Sequence, residues 1–374
     1  MRIDLTGLQS GPSQTWGALR LVPLLRDRPV EGLRLHRIAY SEEPRWSEVK
    51  LTSKISYYSY IPHGFVADWN RESGDSSQSA AFGTQLLDQR GSVRGMPMQV
   101  HRRMTQKLGK QRARFLPLHF AIEGYLSLHF GGPDIAWREW SDRLLRRGLS
   151  PRVEASYRGT VVAGLEDALK VFEIHEGQCG VLLYTADTLA AAFAVPHPED
   201  YRELHPTLVL DHFGELVYQY ALMTLAVDEF RAYIADEGID SLARLRTAAE
   251  AQNAQWAEFH DRVMANALLD HDYTAERGYQ MGEFDLVRFR PRFKPGEENH
   301  IGEAITDQTG AIAYLKTFRL SEAQIRRGYL LELLASHGWR LSAAAEAIGT
   351  TAEDLRGRIR AAGFEMMLRQ KEKR

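Results

Sequence analysis

QCGVLLYTADTLAAAFAV, residues 178–195, is the stretch on which the fold turns. Residues 180–184 form a continuous apolar run, and residues 189–195 return to that character after the break Thr185-Ala186-Asp187. Two apolar arms of strand length around so short a break read as a β-hairpin with buried arms. Toward the N-terminus, WGALRLVPLL (16–25) and LRLHRIAY (33–40) are separated by DRPVEG, where Asp27, Pro29 and Gly32 interrupt residues that favour extended backbone. Two strands joined by a loop follow. SKISYYSYI (53–61) is β-branched and aromatic and predicts another strand, whereas NRESGDSSQS (70–79) is polar and small and reads as a surface loop.

Toward the C-terminus the pattern mixes helices with strands. Residues 165–172 read as an amphipathic helix, and a further helix starts at Pro198 with Glu199 and Asp200 in its first turn, where the helix dipole favours acids. Another is expected over 208–230. Residues 234–266 are charged and alanine-rich, with apolar residues returning at three and four, so an exterior helix that covers the body or pairs with its own copy is expected. FDLVRFRPRF (284–293) alternates, with Leu286, Arg288 and Arg290 opposite Asp285, Val287 and Phe289. Asp307-Gln308-Thr309-Gly310 reads as the turn of a hairpin within 302–318.

The chain then changes character. Ser321 and Gln324 form a capping-box pattern ahead of Ile325, Leu330, Leu331, Leu333 and Leu334, enough for one wide apolar face. A second short helix, residues 342–348, is nearly all alanine on one side and stops at Gly349. Thr350-Thr351 caps a third, with Leu355 and Ile359 as its buried contacts. Short helix, glycine turn, short helix is the helix-turn-helix arrangement. The expected class is therefore α+β: a mixed α/β body over residues 1–318, with a helical segment at about 234–270, and a small all-α helix-turn-helix domain over 321–374.

Bulk properties limit the function. A chain of 374 residues with 44% apolar composition builds a substantial core, and a formal charge of −2 is too small for the whole protein to coat nucleic acid or an anionic membrane. The single cysteine, Cys179, lies in an apolar run and reads as a buried thiol of a reducing compartment. No run of 18 apolar residues occurs, so a soluble cytoplasmic protein with no membrane partner is expected. Dinucleotide, P-loop, zincin and nucleophile-elbow motifs are all missing from the sequence, and neither a catalytic set nor a cofactor is assigned. Glu199, Asp200, His205, Asp211 and His212 gather around a proline at spacings that do not share one helix face, and no metal is assigned to them. His119 and His129 read as core or boundary histidines.

Positive charge is local. Residues 90–114 carry eight Arg or Lys and no acid, with Arg102, Arg103, Lys107, Lys110, Arg112 and Arg114 as a candidate anion or nucleic-acid face, much of it expected as helix. KLGKQR (107–112) within it could grip a phosphate beside the flexible Gly109. The C-terminal unit holds 10 basic and 7 acidic residues, a net of +3. An ordinary solvated face is the alternative for residues 90–114, and protein contact, dimerisation or a simple structural cap for the C-terminal unit.

GWRLSAAAEAIGTTAEDLRGRIRAAGF, residues 338–364, resembles the small C-terminal DNA-binding domains of the Fis type found at the end of bacterial enhancer-binding activators. Ala344-Ala345, the Ile348-Gly349 turn, Leu355, Arg358-Ile359 and Gly363 carry that resemblance. It departs at Trp339, where the family usually has asparagine, and at Ala352-Glu353-Asp354, where the family tends toward Arg, Lys or Thr. The body, residues 8–318, resembles the ARPP-type domain of bacterial conflict and signalling systems, so called from its association with rhodanese-phosphatase-type proteins. Residues 7–24, 178–195 with the helix after it, and the closing AYLKTF carry this second likeness.

The resemblances imply a DNA-associated regulatory protein, in transcription regulation or antiviral defence, whose body senses a partner or ligand. Double-stranded DNA would be met by Arg356, Arg358, Arg360, Lys371 and Lys373, and a homodimer is expected, with a protein partner from the same system as a further candidate. Two other classes stay open: a protein-interaction scaffold that uses the degenerate C-terminal unit for dimerisation, and an enzyme of unknown reaction in the body.

Overall fold

The hairpin at residues 178–195 is the centre of a large antiparallel sheet. The structure, a computed structural model, describes residues 1–37, 172–207, 220–221, 224–229 and 233–362, the backbone of strands between residues 48 and 115, and the side chains of residues 67–69. The N-terminal part contributes β1 Gln9–Ser10, β2 Gln14–Trp16, β3 Leu19–Leu25, β4 Leu33–Arg37, β5 Glu48–Thr52 and β6 Ile55–Ser59. These are followed by β7 Gly64–Arg71, β8 Gly74–Gly83, β9 Leu86–Leu87, β10 Val93–Arg94, β11 Thr105–Leu108 and β12 Ala113–Phe115. The later chain adds β13 Gln178–Thr185, β14 Thr188–Ala194, β15 Thr274–Met281, β16 Phe284–Arg290, β17 His300–Thr306 and β18 Ile312–Arg319. Among the described residues the helices are α1 Pro198–Thr207, α2 Leu242–Phe259, α3 Asn266–Leu269, α4 Glu322–Ser336, α5 Leu341–Ala347 and α6 Ala352–Ala361, with a π-helical turn His260–Met264 after α2.

Nine strands form the main sheet in the order β1-β3-β13-β14-β18-β17-β16-β15, with β2 paired to β3, and every pairing is antiparallel. The β13–β14 turn places Ala186 and Asp187 at φ 48° and 57°, the left-handed pair that a two-residue hairpin turn requires. Asp187 is held there by the buried Arg20, whose Nε donates to its Oδ1 at 2.7 Å. In the β17–β18 turn, Asp307 Oδ1 accepts from the backbone N–H groups of Thr309 and Ala311, each at 2.9 Å. Two smaller sheets follow the orders β10-β9-β8-β7-β4 and β12-β11-β6-β5.

Both faces of the main sheet are covered. On one, Val181, Leu183, Phe193, Ile305 and Tyr314 share a core with Leu33, Leu35, Trp69 and Tyr201. On the other, Val22, Leu182, Tyr184, Ala192 and Leu315 pack with Ile3, Leu5, Trp256 and Leu268. The alternation at 284–293 has this cause: Leu286 belongs to the first core and Phe289 to the second.

The architecture corrects the expected class. Instead of a mixed α/β body with a separate all-α domain, the described chain is dominated by antiparallel sheet with few helices, an α+β mix without layers of crossover helices. Tight turns connect β2 to β3, β13 to β14, β15 to β16 and β17 to β18, so these antiparallel neighbours need no helix between them. The C-terminal helices also lack a core of their own. Ile325, Leu330, Leu331, Leu333, Leu334, Ala344, Ala345, Leu355 and Ile359 belong to the same cluster as Phe293, Ile301, Phe318 and Leu320 of the sheet region. Each large aliphatic group buried this way contributes about 1.5–3 kcal/mol, so the five on α4 rival the net stability of a whole domain. Gly328 seats α4 on Phe293 so closely that a Cβ would lie 2.4 Å from its ring carbons, and Arg290 on β16 pairs with Glu332 on α4 at 2.7 Å.

Other expectations are modified locally. Residues 70–79 belong largely to β7 and β8, because backbone pairing places no demand for apolar side chains. Residues 105–108 and 113–115 are strands where a helix was expected, and residues 224–229 are non-helical. The alanine-rich helix starts only at Leu242, behind an N-cap at Ser241. The readings placed on residues 116–171 and 208–219 lie outside the described residues.

Candidate functional site

The helix α6 is built to display cations. Thr351 caps it, its Oγ1 accepting from the Asp354 N–H at 3.1 Å and donating to Asp354 Oδ2 at 2.7 Å. Glu353 and Asp354 lie in the first turn and Arg358 and Arg360 in the last, the arrangement the helix dipole favours. The two fully buried residues, Leu355 and Ile359, are four apart and therefore form one edge. Everything else on the helix faces out, including Arg356, Arg358 and Arg360. At about 100° per residue, Arg356 and Arg360 run along one flank of that edge while Arg358 occupies the other.

Arg358 meets two residues that sequence reading did not single out. With Arg326 and Arg327 of α4 it lines a cleft of about 530 Å³, shared with Tyr329 and Leu330. Arg326, Arg327 and Arg358 line it and, among the described residues, no carboxylate does, although Glu322 pairs with Arg326 from one turn earlier on α4. The small side chains of Ala323, Ala361 and Ala362 leave the space open. The adjacent Arg326-Arg327 pair was a visible signal, but only packing of α4 against α6 brings it to Arg358.

The turn into α5 explains an oddity in the sequence. Trp339 has φ 62°, directly after Gly338 at φ 60°, and its N–H donates to Leu334 O at 2.7 Å, closing α4. A left-handed residue at this place suits asparagine and strains tryptophan, and the indole is held by packing on the core. Gly349, at φ 66°, ends α5 in the same way, with Thr350 N–H donating to Ala345 O at 3.0 Å.

The remaining predicted site residues are dispersed. Lys107 and Arg114 are register partners on β11 and β12. Arg102, Arg103, Lys110, Arg112, Lys371 and Lys373 lie outside the described residues. Asp200 is taken up structurally: Arg34 grips both its oxygens and Leu35 N–H donates to it at 2.9 Å, which ties α1 to β4. His205 accepts or donates at Nδ1 to the Tyr201 hydroxyl at 2.9 Å. Asp211 and His212 are outside the described residues, and among those described no group of three His, Cys, Asp or Glu could hold a metal. Cys179 is fully buried, and desolvation pushes its thiol up to about 11, a range without nucleophilic thiolate.

Two buried polar clusters also stand out. On the main sheet Lys316 Nζ lies 3.9 Å from Glu303 Oε1, which also accepts from the Tyr314 hydroxyl at 3.1 Å. Burial lowers the Lys316 ammonium while Glu303 opposes the shift. At the end of α2, the fully buried His260 bonds the Tyr184 hydroxyl through Nε2, and Ser10 Oγ and Asp261 Oδ1 both lie 3.0 Å from its Nδ1. Serine and aspartate compete for the same nitrogen, so this is no acid–base relay from Asp through His to Ser; it fastens α2 to β1 and β13.

Among the described residues no helix is long and apolar enough to cross a membrane. A family model described as ARPP-2 matches residues 3–282. That match ends before the C-terminal helices and lends no support to their Fis-type resemblance. No curated protein and no solved structure matches the chain.

Proposed function

The chain belongs to the ARPP-2 family, and from that premise we propose that it is a cytoplasmic, DNA-associated regulatory or defence-linked protein whose family body senses a ligand or partner while its C-terminal helices contact duplex DNA. One observation carries this reading: α6 commits only Leu355 and Ile359 to the core and presents Arg356, Arg358 and Arg360 outward. Arg and Lys contacts to phosphates supply sequence-independent affinity. The sequence of the tail adds further positive charge at Lys371 and Lys373, and the resemblance of residues 338–364 to Fis-type domains points the same way. Glu353 and Asp354 work against it at the start of α6, so backbone contact from the arginine flanks fits better than base readout by the first turn.

The test is fluorescence anisotropy of the full chain on a mixed-sequence duplex across a salt series. Removing residues 321–374 would strip a cover from the sheet, so charge reversal is the cleaner perturbation. Arg358→Glu is expected to weaken binding about tenfold and to flatten the slope of log K against log salt by about one unit. Equal affinity and slope for the two proteins would end the DNA reading of this helix.

A specific observation favours a second reading, a protein-interaction scaffold. Leu242 is 73% and Val263 59% exposed, and with Leu245 and Phe259 they run along α2 and the π-helical turn beyond it. Of residues 242–255 none is buried. Pairing of this helix with a second copy would cover the stripe. Sedimentation equilibrium is then expected to give a dimer that Leu242→Glu/Leu245→Glu converts to monomer, and a monomer at all concentrations in both proteins would remove the reading.

A further inference from the structure

We propose that the cleft between α4 and α6 binds a phosphate monoester that carries an apolar or aromatic body. Its volume of about 530 Å³ lies within the range of small-molecule sites, about 300–1,000 Å³. Its chemistry is divided in the way such a ligand requires. Arg326, Arg327 and Arg358 all line one space, and guanidinium forks match phosphate oxygens two at a time. Tyr329, Leu330 and Pro295 provide ring and aliphatic surface for the remainder of the molecule. The carboxylate nearest in sequence, Glu322, engages Arg326 from outside the lining, at a side chain that is 64% exposed, so solvent screens it and a dianion can outcompete it.

A phosphate dianion is favoured over a monoanion because three cations face it. Arginine stays protonated at every accessible pH, so any pH dependence belongs to the ligand, whose second ionisation falls near pH 6. The inference stands on the cleft and does not depend on DNA binding. The two readings share Arg358 alone, so an occupied cleft would compete with DNA for that side chain.

The experiment is isothermal titration of the full chain with phenyl phosphate and with adenosine monophosphate, in the absence of DNA. Saturable binding of one equivalent is expected, weakening about threefold to fourfold between pH 7.5 and 5.5 as the dianion fraction falls. Arg326→Gln/Arg327→Gln is expected to lose at least tenfold in affinity for the probes while keeping DNA affinity within threefold, which separates this site from the DNA surface. Arg358→Gln, a change at an exposed side chain, serves as the independent variant and is expected to lose ligand affinity to a similar degree. Absence of saturable binding to the wild-type protein at millimolar probe overturns the proposal, as does binding that survives both variants with unchanged Kd. Failure of the wild-type protein to bind duplex DNA, with ligand binding intact, would overturn the DNA reading and leave this one standing.

Discussion

At the scale of single residues, buried histidines set how the protein responds to acid. Among the described residues His205 bonds the Tyr201 hydroxyl, and its Nε2 is buried without a partner; desolvation lowers it to about 4. His300 is fully enclosed, bonded at Nδ1 to Thr317 Oγ1 at 3.2 Å, with an unpartnered Nε2; burial first, then the charges of Arg319 and His271, lowers it to about 3. In the unfolded chain both titrate near 6.5. The unfolded state therefore takes up protons first as pH falls, so the stability these groups contribute is complete above about pH 6.5 and is lost progressively toward about pH 4 for His205 and about pH 3 for His300. The expected slope is up to about 1.4 kcal/mol per pH unit for each histidine. Urea unfolding at pH 7 and pH 5 measures it. His205→Gln and His300→Gln should each reduce the difference between the two pH values, and an unaltered difference would mean that carboxylates alone produce the acid sensitivity.

At the scale of elements, α4 is the joint between sheet and C-terminal helices. Its capping box is complete, with Gln324 N–H donating to Ser321 Oγ at 3.3 Å and Ser321 N–H to Gln324 Oε1 at 2.8 Å. Its position is set by Gly328, since Phe293 occupies the space that a larger residue would need. Gly328→Ala gains up to about 1 kcal/mol of helix propensity but pushes the aromatic ring, an overpacking cost of about 1–3 kcal/mol. A net loss of about 1–2 kcal/mol is expected in the urea midpoint. An unchanged or raised midpoint would show that Phe293 swings aside at no cost. Because α4 also carries Arg326 and Arg327, the same variant reports whether displacement of the helix is felt at the cleft.

At the scale of the whole molecule, the main sheet unites parts of the chain that are far apart in sequence. Strand β14 pairs on one side with β13 and on the other with β18, more than a hundred residues later. The ARPP-2 match ends at residue 282, in the turn between β15 and β16, yet β16, β17 and β18 complete the sheet beyond it. The C-terminal helices then share the core of the first face of that sheet, joined to it at Phe293 and Arg290. In the function proposed above, a sensing body and a DNA-contacting end built around one core would have a physical route for coupling through displacement of α4.

Much of this was legible from residue order. The hairpins at 178–195 and 302–318, the capping box at Ser321, the glycine stop at Gly349 and the caps of the last helices are local signals, written in the few residues that make them. The burial of Cys179, Leu355 and Ile359 followed from the same patterns. What the sequence left undecided was where these elements meet. Polar strands such as β8 hide from any pattern based on hydrophobicity, since hydrogen-bonded pairing is a property of the backbone. The C-terminal helices read as a separate unit because an apolar helical face looks the same whether it meets another helix or a sheet. Only tertiary packing, with Gly328 against Phe293 and Arg326, Arg327 and Arg358 around one cleft, decided that they belong to the common core, since such contacts depend on which distant surfaces complement one another in shape and charge.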